Sequence, residues 1–582
     1  MSNHLERRIA YFSMEIAVDP SLPTYAGGLG VLAGDLLRSA ADLGVPIVGV
    51  TLLCRKGYFR QKLDGAGQQM ESPDTWTPEA ALEALDVRIP VILGNRTISV
   101  KAWRYLVRGI SGFDVPVYFL DTGDSSNPPF ERSLSDSLYG GDERYRLCQE
   151  VVLGIGGVRL LRTLGFGHID RFHMNEGHSA LLALALLEER KGRNNLGAVT
   201  SDDIEAVRRN CIFTTHTPVP AGQDQFSREL AAAVLGPDRM AMLEETHCCS
   251  LGKLNMTYLG LRCSGYVNGV AMRHGEISQG MFPDYPVHAI TNGVHAVTWT
   301  SEPFQKLYDR HIPEWRKDNL YLRYAIGIEL GEIQEAHALA KATVVQEIEK
   351  ATGIRFSDHV AILGFARRAA AYKRADLLFS DLNKLRAIRE KSGPFQLVFA
   401  GKAHPRDEEG KAAIRRVFQA AESLKGDIPV AYIENYDLRW ARLLTSGADL
   451  WLNTPHRPFE ASGTSGMKAA LNGVPSLSIR DGWWIEGHFE GVTGWAIGYD
   501  EDPEDHEIEI ASLYDKLERT ILPLFYTRRK SYAAVMRSCI ALNGAFFNTQ
   551  RMLSQYVTNA YFPEDEDLRS EEAGALRHST AS

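Results

Sequence analysis

The chain has 582 residues, with 64 Lys and Arg against 73 Asp and Glu, a net charge of -9, and 44% hydrophobic and 24% charged residues. This composition is typical of a globular protein and excludes a wholly disordered chain. It also argues against a nucleic-acid-binding protein, which usually carries an excess or a stripe of basic residues. At roughly 100–200 residues per domain, the length predicts several domains or two large ones.

The sequence shows no sign of a membrane segment, a secretion signal or a metal site. Its longest apolar run, residues 180–187, is far shorter than the roughly 20 residues of a membrane helix. The N-terminus has no apolar signal core. The seven cysteines form no C-x-x-C pair, and Cys248 and Cys249 beside His247 have no second ligand pair at useful spacing. We expect a cytoplasmic protein with free thiols, no metal and no membrane contact.

Along the chain, apolar strands, loops and amphipathic helices alternate. The predicted strands are residues 8–16, 45–53, 171–174, 211–215, 360–365, 396–400, 430–434, 449–453 and 476–479. The clearest predicted helices are residues 30–43 and the stretch from Ser179. Alternation of this kind predicts α/β architecture with parallel sheets covered on both faces.

So many strand–helix units exceed one sheet, which predicts two doubly wound domains. We place the joint near residues 291–293, where a strand ends in a turn. Residues 507–561 are predicted to be helical and to pack across the joint. Residues 563–582 are acidic and poor in apolar side chains, and are expected to be disordered.

Open parallel sheets bind ligands beyond the carboxyl ends of their strands, so the loops after strands are the candidate sites. The first such loop, residues 26–30, is rich in glycine and opens a helix. It fits the loose G-x-G-x-x-G/A dinucleotide pattern, but the next strand ends in Cys54 and Arg55 rather than in an acid. A tight helix start and a phosphate cradle both remain open.

Two loops in the second half carry positive charge. Residues 367–374 hold four cations directly after a strand. Such a run of charge is often only a solvated surface, but its position at the end of a strand favours a site where Arg and Lys bind an oxyanion. Residues 460–468 present small residues at a helix start and then Lys468. Lys468 could simply form a surface ion pair. Alternatively, it could be desolvated, and a desolvated amine is the kind that reacts with carbonyl groups.

Two further loops after strands hold histidines: residues 213–218 contain His216, and residues 174–178 contain Glu176 and His178. A structural role and a ligand-binding role are about equally supported for these histidines. The sequence contains no G-x-S-x-G or H-E-x-x-H motif. From the residues alone, we predict a two-domain α/β enzyme that performs group transfer involving phosphate.

Together these loops resemble the α-glucan (glycogen, starch and maltodextrin) phosphorylases, from Tyr11 to about Phe562. The most specific element is Glu-Ala-Ser-Gly-Thr-x-x-Met-Lys at 460–468, followed by Leu-Asn-Gly at 471–473. The resemblance implies a GT-B fold, in which two Rossmann-like domains, here residues 1–292 and 293–562, face a central cleft. It also implies pyridoxal 5'-phosphate as cofactor.

The resemblance also assigns roles residue by residue. Lys468 would hold the cofactor, and Arg368 and Lys373 would clamp the substrate phosphate, these three being the catalytic residues. The other cofactor contacts would be Gly27, Gly28, Thr464, Ser465, Tyr436 and Trp299. The transferred sugar would be bound by His216, Asn292, Glu460, Ser462, Gly463, Tyr372, His178 and Glu176.

The implied reaction is retaining phosphorolysis of an α-glucan or maltooligosaccharide by inorganic phosphate, giving α-glucose 1-phosphate. A phosphate monoester has a second pKa of about 6, so the cofactor phosphate can exchange a proton with inorganic phosphate near neutral pH. Two phosphates in contact repel each other, which explains the flanking cations. Homodimers are common in the family.

The chain departs from the animal and plant enzymes at two places. Ala369, Ala370 and Ala371 replace bulky polar residues, and Ser465 and Gly466 replace Gly-Asn. The chain is also shorter and resembles the compact prokaryotic branch. We expect the acidic gate loop at residues 121–142.

Two alternatives remain. A glucan synthase of the same fold would use a nucleotide-sugar donor, but such enzymes resemble Lys-x-Gly-Gly-Leu in the first loop, where this chain has Tyr25 at the lysine position. They also lack a lysine equivalent to Lys468. The second alternative is a non-catalytic glucan-binding relative.

Overall fold

The computed structural model describes residues 7–194, 199–219, 223–250, 252–499 and 505–563. Most of the predicted acidic tail, from residue 564 on, lies outside them. The strands are β1 Ile9–Ser13, β2 Ile47–Leu52, β3 Arg60–Leu63, β4 Gln69–Ser72, β5 Glu83–Leu93, β6 Arg96–Arg108, β7 Asp114–Asp121, β8 Arg171–Asn175, β9 Cys211–Thr214, β10 Gln225–Ser227, β11 Cys249–Ser250, β12 Lys253–Asn255, β13 Tyr266–Gly269, β14 His288–Ala289, β15 Ala361–Ala366, β16 Phe395–Ala400, β17 Val430–Ile433, β18 Leu450–Asn453, β19 Ser476–Ile479 and β20 Gly494–Ile497.

The α-helices surround the sheets. They are α1 Gly28–Leu43, α2 Pro129–Arg132, α3 Glu143–Val151, α4 Gly157–Thr163, α5 Leu181–Asn194, α6 Ser201–Asn210, α7 Arg228–Leu235, α8 Pro237–Glu245, α9 Met256–Arg262, α10 Met272–Met281, α11 Ala296–Trp299, α12 Glu302–His311, α13 Leu330–Thr352, α14 Leu382–Ser392, α15 Glu408–Ser423, α16 Leu438–Gly447, α17 Ser465–Ala470, α18 Trp484–Gly487, α19 His506–Asp515, α20 Leu522–Thr527, α21 Arg529–Ser538 and α22 Thr549–Tyr556.

The first sheet has the strand order β14-β13-β9-β8-β1-β2-β7-β6-β5. Its strands from β14 to β7 run parallel, as predicted, with β1 between β2 and β8. Their side chains are almost all buried, because helices cover both faces of the sheet. The carboxyl ends of β1, β8 and β9 therefore meet at one edge, where the predicted loops begin.

An antiparallel extension of this sheet was missed by the sequence analysis. Strands β5 and β6 pair with each other and β6 pairs with β7. Along β5, exposed and buried side chains alternate, because one face of this edge is solvated. Its charged residues and Pro90 hide that alternation in the sequence.

The second sheet, β17-β16-β15-β18-β19-β20, is entirely parallel among the described residues. Its strands include all five that were predicted in the second half. Large buried side chains from the sheet and its helices, including Trp299, Trp315, Trp484 and Trp495, form its core. The parallel α/β architecture is thus confirmed.

The chain crosses between the two sheets twice at the same place. It leaves the first sheet at Gly293 and Val294, and it returns beside them at Asn548. A Cβ atom on Gly293 would lie 2.3 Å from the carbonyl oxygen of Asn548, so only glycine permits this approach. From there α22 packs on the first sheet, where Ser39 and Thr549 share a hydrogen bond of 2.6 Å.

A hairpin of β3 and β4 connects the sheets a second time, on the other side of the cleft. The side-chain amide of Gln61 donates to the carbonyl oxygen of Gly401 at 2.9 Å. Gln69 exchanges two hydrogen bonds with the backbone of Ala403, at 2.9 and 3.0 Å. Both glutamines are buried, so these contacts hold the hairpin firmly against the second sheet.

Within the described part of the chain, no helix is both long and apolar enough to cross a membrane.

Candidate active site

The glycine loop lies after β1 and directly before α1. The backbone N–H groups of Ala26 and Gly27 donate to the Glu15 carboxylate at 2.5 and 3.1 Å. Part of the predicted anion cradle thus already holds a carboxylate of the chain itself. A Cβ atom on Gly27 or Gly28 would meet open space, so room for a ligand remains beside the start of α1.

The cation loop follows β15, and its backbone is fixed from a neighbouring strand. Lys373 ends a single 3-10 turn. The hydroxyl group of Thr454, after β18, donates to the carbonyl oxygens of Lys373 and Arg374 at 3.1 and 2.9 Å. The Arg374 guanidinium donates to Thr454 and Pro455 carbonyl oxygens, at 2.9 Å each, and to Glu509 at 2.6 Å. This lattice of contacts orients the loop at the edge of the sheet.

Glu460 lies in the centre of the cations. The Lys373 ammonium donates directly to the Glu460 carboxylate, and the Arg367 guanidinium lies 3.7 Å from the same oxygen. Burial raises the pKa of Glu460, but Lys373 and Arg367 outweigh burial and hold that pKa below its ordinary value. The structure therefore places a permanently ionised carboxylate among fixed positive charges.

Arg368 is accessible to solvent within the cleft. Partial desolvation lowers its pKa, but Tyr372, Tyr58 and Glu15 together raise that pKa above its ordinary value. Tyr58 and Glu15 belong to the part of the chain that forms the first sheet. Arg368 thus faces across the cleft, toward the glycine loop.

Lys468 lies on α17 and is buried, with 7% of its surface exposed. Its ammonium sits 3.9 Å from the centre of the Trp299 ring and makes no hydrogen bond or ion pair with any described residue. Burial is the main reason that its pKa falls to about 8. A buried amine with a low pKa and no polar partner is poised to react with a carbonyl group.

The surroundings of Lys468 come from both sheets. Trp299 donates its indole N–H to Asp35 of α1 at 2.6 Å. Asp35 also binds Arg38 at 2.9 Å. Helix α1, which begins at the glycine loop, thus reaches the lysine of the second sheet through one tryptophan.

The backbone around Lys468 is tightly packed. Gly463 has a φ of +73°, which favours glycine. A Cβ atom on Gly466 would lie 2.7 Å from the Trp483 ring. The Ser465 hydroxyl accepts hydrogen bonds from Trp451 at 3.0 Å and Arg367 at 3.4 Å. Ser462, Thr464 and Ser465 therefore lie in one loop between the cations and Lys468.

Two aromatic residues flank the cations. The Tyr372 ring lies 4.6 Å from the Lys373 ammonium. Tyr436, which follows β17, is half-buried, and burial raises its pKa while Arg367 opposes that rise. A small cavity of about 10 Å³ lies beneath this loop. Its lining includes Ala369 and Ala370.

The loops after β8 and β9 form the opposite wall. The Glu176 carboxylate accepts hydrogen bonds from the His216 and Gly177 backbone N–H groups at 2.7 and 3.0 Å. The His216 ring binds the Asn175 amide oxygen at 2.7 Å. Burial and neighbouring histidines lower the pKa of His216 to about 3, so its ring is neutral at physiological pH.

His178 and Asn292 occupy two other positions on this wall. His178 lies 3.3 Å from Asp224, and burial lowers its pKa to about 4. Asn292 is buried, and its carbonyl oxygen accepts a hydrogen bond from Arg551 at 2.9 Å. The amide oxygen of Asn292 has no hydrogen-bond partner among the described residues. It is thus available to a ligand.

The predicted gate region, residues 121–142, contains α2 and contacts Glu15, the residue whose carboxylate binds the glycine loop. The Tyr139 hydroxyl donates to Glu15 at 2.8 Å. The sequence indicated Arg367 only as one of the four cations of its loop, and it indicated no role for Glu15 or Asp481. Both acids follow a strand in the structure, which is the one signal that could have found them. The described residues contain no cluster of side chains suited to a metal ion.

The fold and the geometry of the site together define a class of protein. It is an α/β protein with one mainly parallel sheet and one entirely parallel sheet, in which the loops after the strands of the second sheet carry cations, a buried carboxylate and a partnerless lysine. The family model described as carbohydrate phosphorylase matches residues 13–102 and 173–491, more than half of the chain. The chain belongs to the carbohydrate phosphorylase family.

Three relatives support this membership. The maltodextrin phosphorylase of Thermococcus litoralis is 37% identical, over 96% of this chain and 70% of its own length. The glycogen phosphorylase of Mycobacterium tuberculosis is 35% identical, over 96% of this chain and 71% of its own length. The glycogen phosphorylase of Aquifex aeolicus is 33% identical, over 96% of this chain and 86% of its own length.

Proposed function

We propose that this chain is an α-glucan phosphorylase, which uses inorganic phosphate to release terminal α-1,4-linked glucose as α-glucose 1-phosphate with retention of configuration. The observation that carries the proposal is the buried, partnerless ammonium of Lys468, on the helix whose first residue, Ser465, accepts a hydrogen bond from Arg367 of the cation loop. Family membership and the names of the relatives support the reaction class, a glycosyl transfer.

We propose a GT-B arrangement with residues 1–292 and 293–562 as two Rossmann-like domains around a central cleft. Two parallel sheets and the double crossing at residues 293–294 and 548 support it. The last helix, α22, packs on the first sheet. By its packing α22 is therefore the one part of residues 293–562 that we assign to the first domain.

Pyridoxal 5'-phosphate is the proposed cofactor, and the residues fit it. The buried Lys468 amine, with its pKa of about 8, suits attachment of the aldehyde. Its remaining contacts would come from Gly27, Gly28, Thr464, Ser465, Tyr436 and Trp299. When bound, the cofactor supplies a phosphate group that relays a proton at the reaction centre.

Arg368 and Lys373 would bind the substrate phosphate, with Arg367 behind them. The phosphate would take over the Lys373 ammonium that Glu460 occupies in this structure. Because these cations are fixed by the surrounding backbone, they would need little reorganisation when negative charge accumulates.

The sugar would be bound by side chains from both walls. Glu460, Ser462, Gly463 and Tyr372 would contact it from the second sheet, and His216, Asn292, His178 and Glu176 from the first. Neutral His216 can donate or accept a hydrogen bond to a hydroxyl group without adding charge. The cleft between the sheets would exclude water, which otherwise competes with phosphate for the glycosyl group.

The proposed ligands are an α-glucan or maltooligosaccharide, inorganic phosphate and glucose 1-phosphate. A cytoplasmic location and a homodimer, which the resemblance suggests, remain proposals. The synthase and binding-protein alternatives are not favoured, because no relative named above is a synthase or a binding protein.

The decisive experiment measures glucose 1-phosphate release from maltoheptaose and phosphate by the cofactor-loaded protein. We expect release by the wild type and a loss of at least about a thousandfold in Lys468→Ala. Reduction with borohydride should then attach the cofactor to the peptide that contains Lys468. Lys402, whose pKa is also lowered to about 8, is the matched control and should stay unlabelled.

If the wild type with cofactor bound released no glucose 1-phosphate, the proposed reaction would be contradicted. Equal labelling of Lys402 and Lys468 would show that low pKa alone explains the modification.

A further inference from the structure

A turn after β19 is fastened to the loop that carries Glu460. The Asp481 carboxylate accepts the backbone N–H of Glu460 through one oxygen and that of Gly482 through the other, both at 2.9 Å. The backbone N–H of Trp483 donates to the carbonyl oxygen of Ser462 at 2.8 Å. Asp481 is 2% exposed, so these hydrogen bonds are shielded from water.

Gly482 shows how closely the two segments approach. Its φ is +54°, and a Cβ atom there would lie 2.3 Å from the carbonyl oxygen of Ser462. No other residue type fits without moving the loop. The loop is thus held by a carboxylate at Glu460 and by backbone contact at Ser462.

Glu460 is consequently gripped at both ends. Asp481 holds its backbone, and Lys373 holds its carboxylate. Asp481 faces the like charge of Glu460 and the opposite charge of Lys373. Arg367 faces Glu460 from the same side as Lys373. A shift of the Asp481 contact therefore moves Glu460 relative to both cations.

We propose that Asp481 is a positioning residue, whose ionised carboxylate fixes the backbone of Glu460 and so sets the register between Glu460 and Lys373 on which substrate binding depends. This assignment rests on the phosphorolysis proposed above. Asp481 acts only through Glu460.

Protonation of Asp481 weakens this grip. A carboxylate accepts both N–H groups with charge assistance, whereas a carboxylic acid accepts them less strongly. Burial, followed by the charge of Glu460, raises the pKa of Asp481 to about 7, despite the backbone N–H groups and Lys373. The charge-assisted hydrogen bonds of Asp481 should thus be nearly fully formed above about pH 8 and largely weakened near pH 6.

The first test compares Asp481→Asn with the wild type. Asn has the same size as Asp, but its amide NH₂ group would face one of the two backbone N–H groups that the Asp481 carboxylate accepts. Two donors would then face each other, and one of the two hydrogen bonds would be lost. We expect kcat/KM for phosphorolysis to fall by about thirtyfold at about pH 8, because a small misplacement of a binding group is costly. At about pH 6 the ratio of wild type to variant should shrink to roughly threefold, since the wild-type carboxylate is then mostly protonated.

The titration of phosphate and of the cofactor affects wild type and variant equally. It therefore does not alter the ratio of their kcat/KM values. Asp381→Asn is the matched control. Asp381 accepts the backbone N–H of Lys384 at 2.9 Å at the start of α14. Its variant should give a ratio near one at every pH. A merely structural role of Asp481 would give a ratio that does not change with pH, and that result overturns the proposal.

The second test needs neither a variant nor the cofactor. Hydrogen exchange of the wild-type protein, corrected for the intrinsic effect of pH, should show protection of residues 460–463 falling by about tenfold between about pH 8 and 6. The internal control is the N–H of Ile362, which donates to Asp449 at 2.7 Å. The pKa of Asp449 is lowered, despite burial, by Lys341 and His337, so that contact should not loosen.

Equal protection of residues 460–463 at both pH values overturns the proposal even if Asp481→Asn fails to fold. Failure of the wild type to release glucose 1-phosphate would instead refute the proposed function. The exchange result would still report whether Asp481 fixes the loop.

Discussion

The two walls of the cleft differ in how they treat charge. On the second sheet, Lys373, Arg367 and Glu460 are ionised and held against one another. On the first sheet, His216 and His178 are kept neutral by burial, with pKa values near 3 and 4. One wall thus offers a cluster of fixed charges, whereas the histidines of the other wall offer neutral hydrogen-bonding groups. This difference matches a reaction that joins an anion to an uncharged sugar.

The difference arises from the charged and titratable groups that surround Glu460 and His216. Both walls are desolvated, which opposes ionisation everywhere. Around Glu460, cations are close enough to outweigh that cost. Around His216, three neighbouring histidines add to that cost.

Acid should destabilise the first wall selectively. His173, His178, His216 and His274 have folded-state pKa values of about 3, 4, 3 and 4. Because these lie below the usual value of about 6.5, the unfolded chain binds protons first, and stability falls as pH drops from about 6.5 toward 4. Together the four histidines should contribute a loss of about 5 kcal/mol per pH unit.

Urea unfolding at several pH values measures this slope. His274→Gln should reduce it by about 1.4 kcal/mol per pH unit. An unchanged slope would mean that His274 is already charged in the folded state, against the contrast drawn above.

Lys373→Met should produce the next largest effect, on the charged wall. It removes the ammonium from Glu460 and leaves a buried carboxylate with weaker compensation. We expect kcat/KM to fall by about a hundredfold to a thousandfold, as for removal of a fixed electrostatic group in other active sites. The comparison is Lys384→Met, which breaks the ion pair with Glu518 away from the cleft. A similar loss in both variants would remove the special role of Lys373.

His216→Ala should cost less, because it removes a neutral hydrogen-bonding group. We expect the KM for glucan to rise by about tenfold, equivalent to about 1.4 kcal/mol, with the KM for phosphate unchanged. Steady-state kinetics with each substrate varied in turn gives both values. If the KM for phosphate rose as much, the two walls would not divide the substrates between them.

Added salt should have the smallest effect. At about 0.5 M sodium chloride, screening and competition by chloride should raise the KM for phosphate by roughly threefold. The KM for glucan should stay constant, since the first wall offers it neutral groups. Sucrose at equal osmolality controls for effects of the solute on water. Parallel changes in both KM values would contradict the division.

The sequence predicted the parallel α/β architecture because apolar strands followed by helices leave a clear pattern. Each predicted strand was found, with ends displaced by a few residues. Strands β5 and β6 were missed because one of their faces is solvated and β5 contains charged residues and Pro90. The hairpin of β3 and β4 was missed because its pairing depends on the distant second sheet.

The position of the candidate site followed from one rule, that ligands bind beyond strand ends. The resemblance added the roles of individual residues, which remain predictions. Neither source indicated that Glu15 occupies two N–H groups of the glycine loop. Neither indicated Asp481, because a single aspartate after a strand carries no local sign of the backbone N–H it will accept. Such long-range contacts are set by packing between segments that are far apart in sequence.

The return of the chain to the first sheet also has a consequence for synthesis on the ribosome. Helix α22 supplies Met552, Leu553 and Tyr556 to the apolar core beneath that sheet. These residues emerge more than 250 positions after β14. At about 5–20 residues per second, the nascent first sheet waits roughly 13 to 53 s with part of its core uncovered. Translation rate and chaperone access should therefore govern how much of this protein reaches its native state.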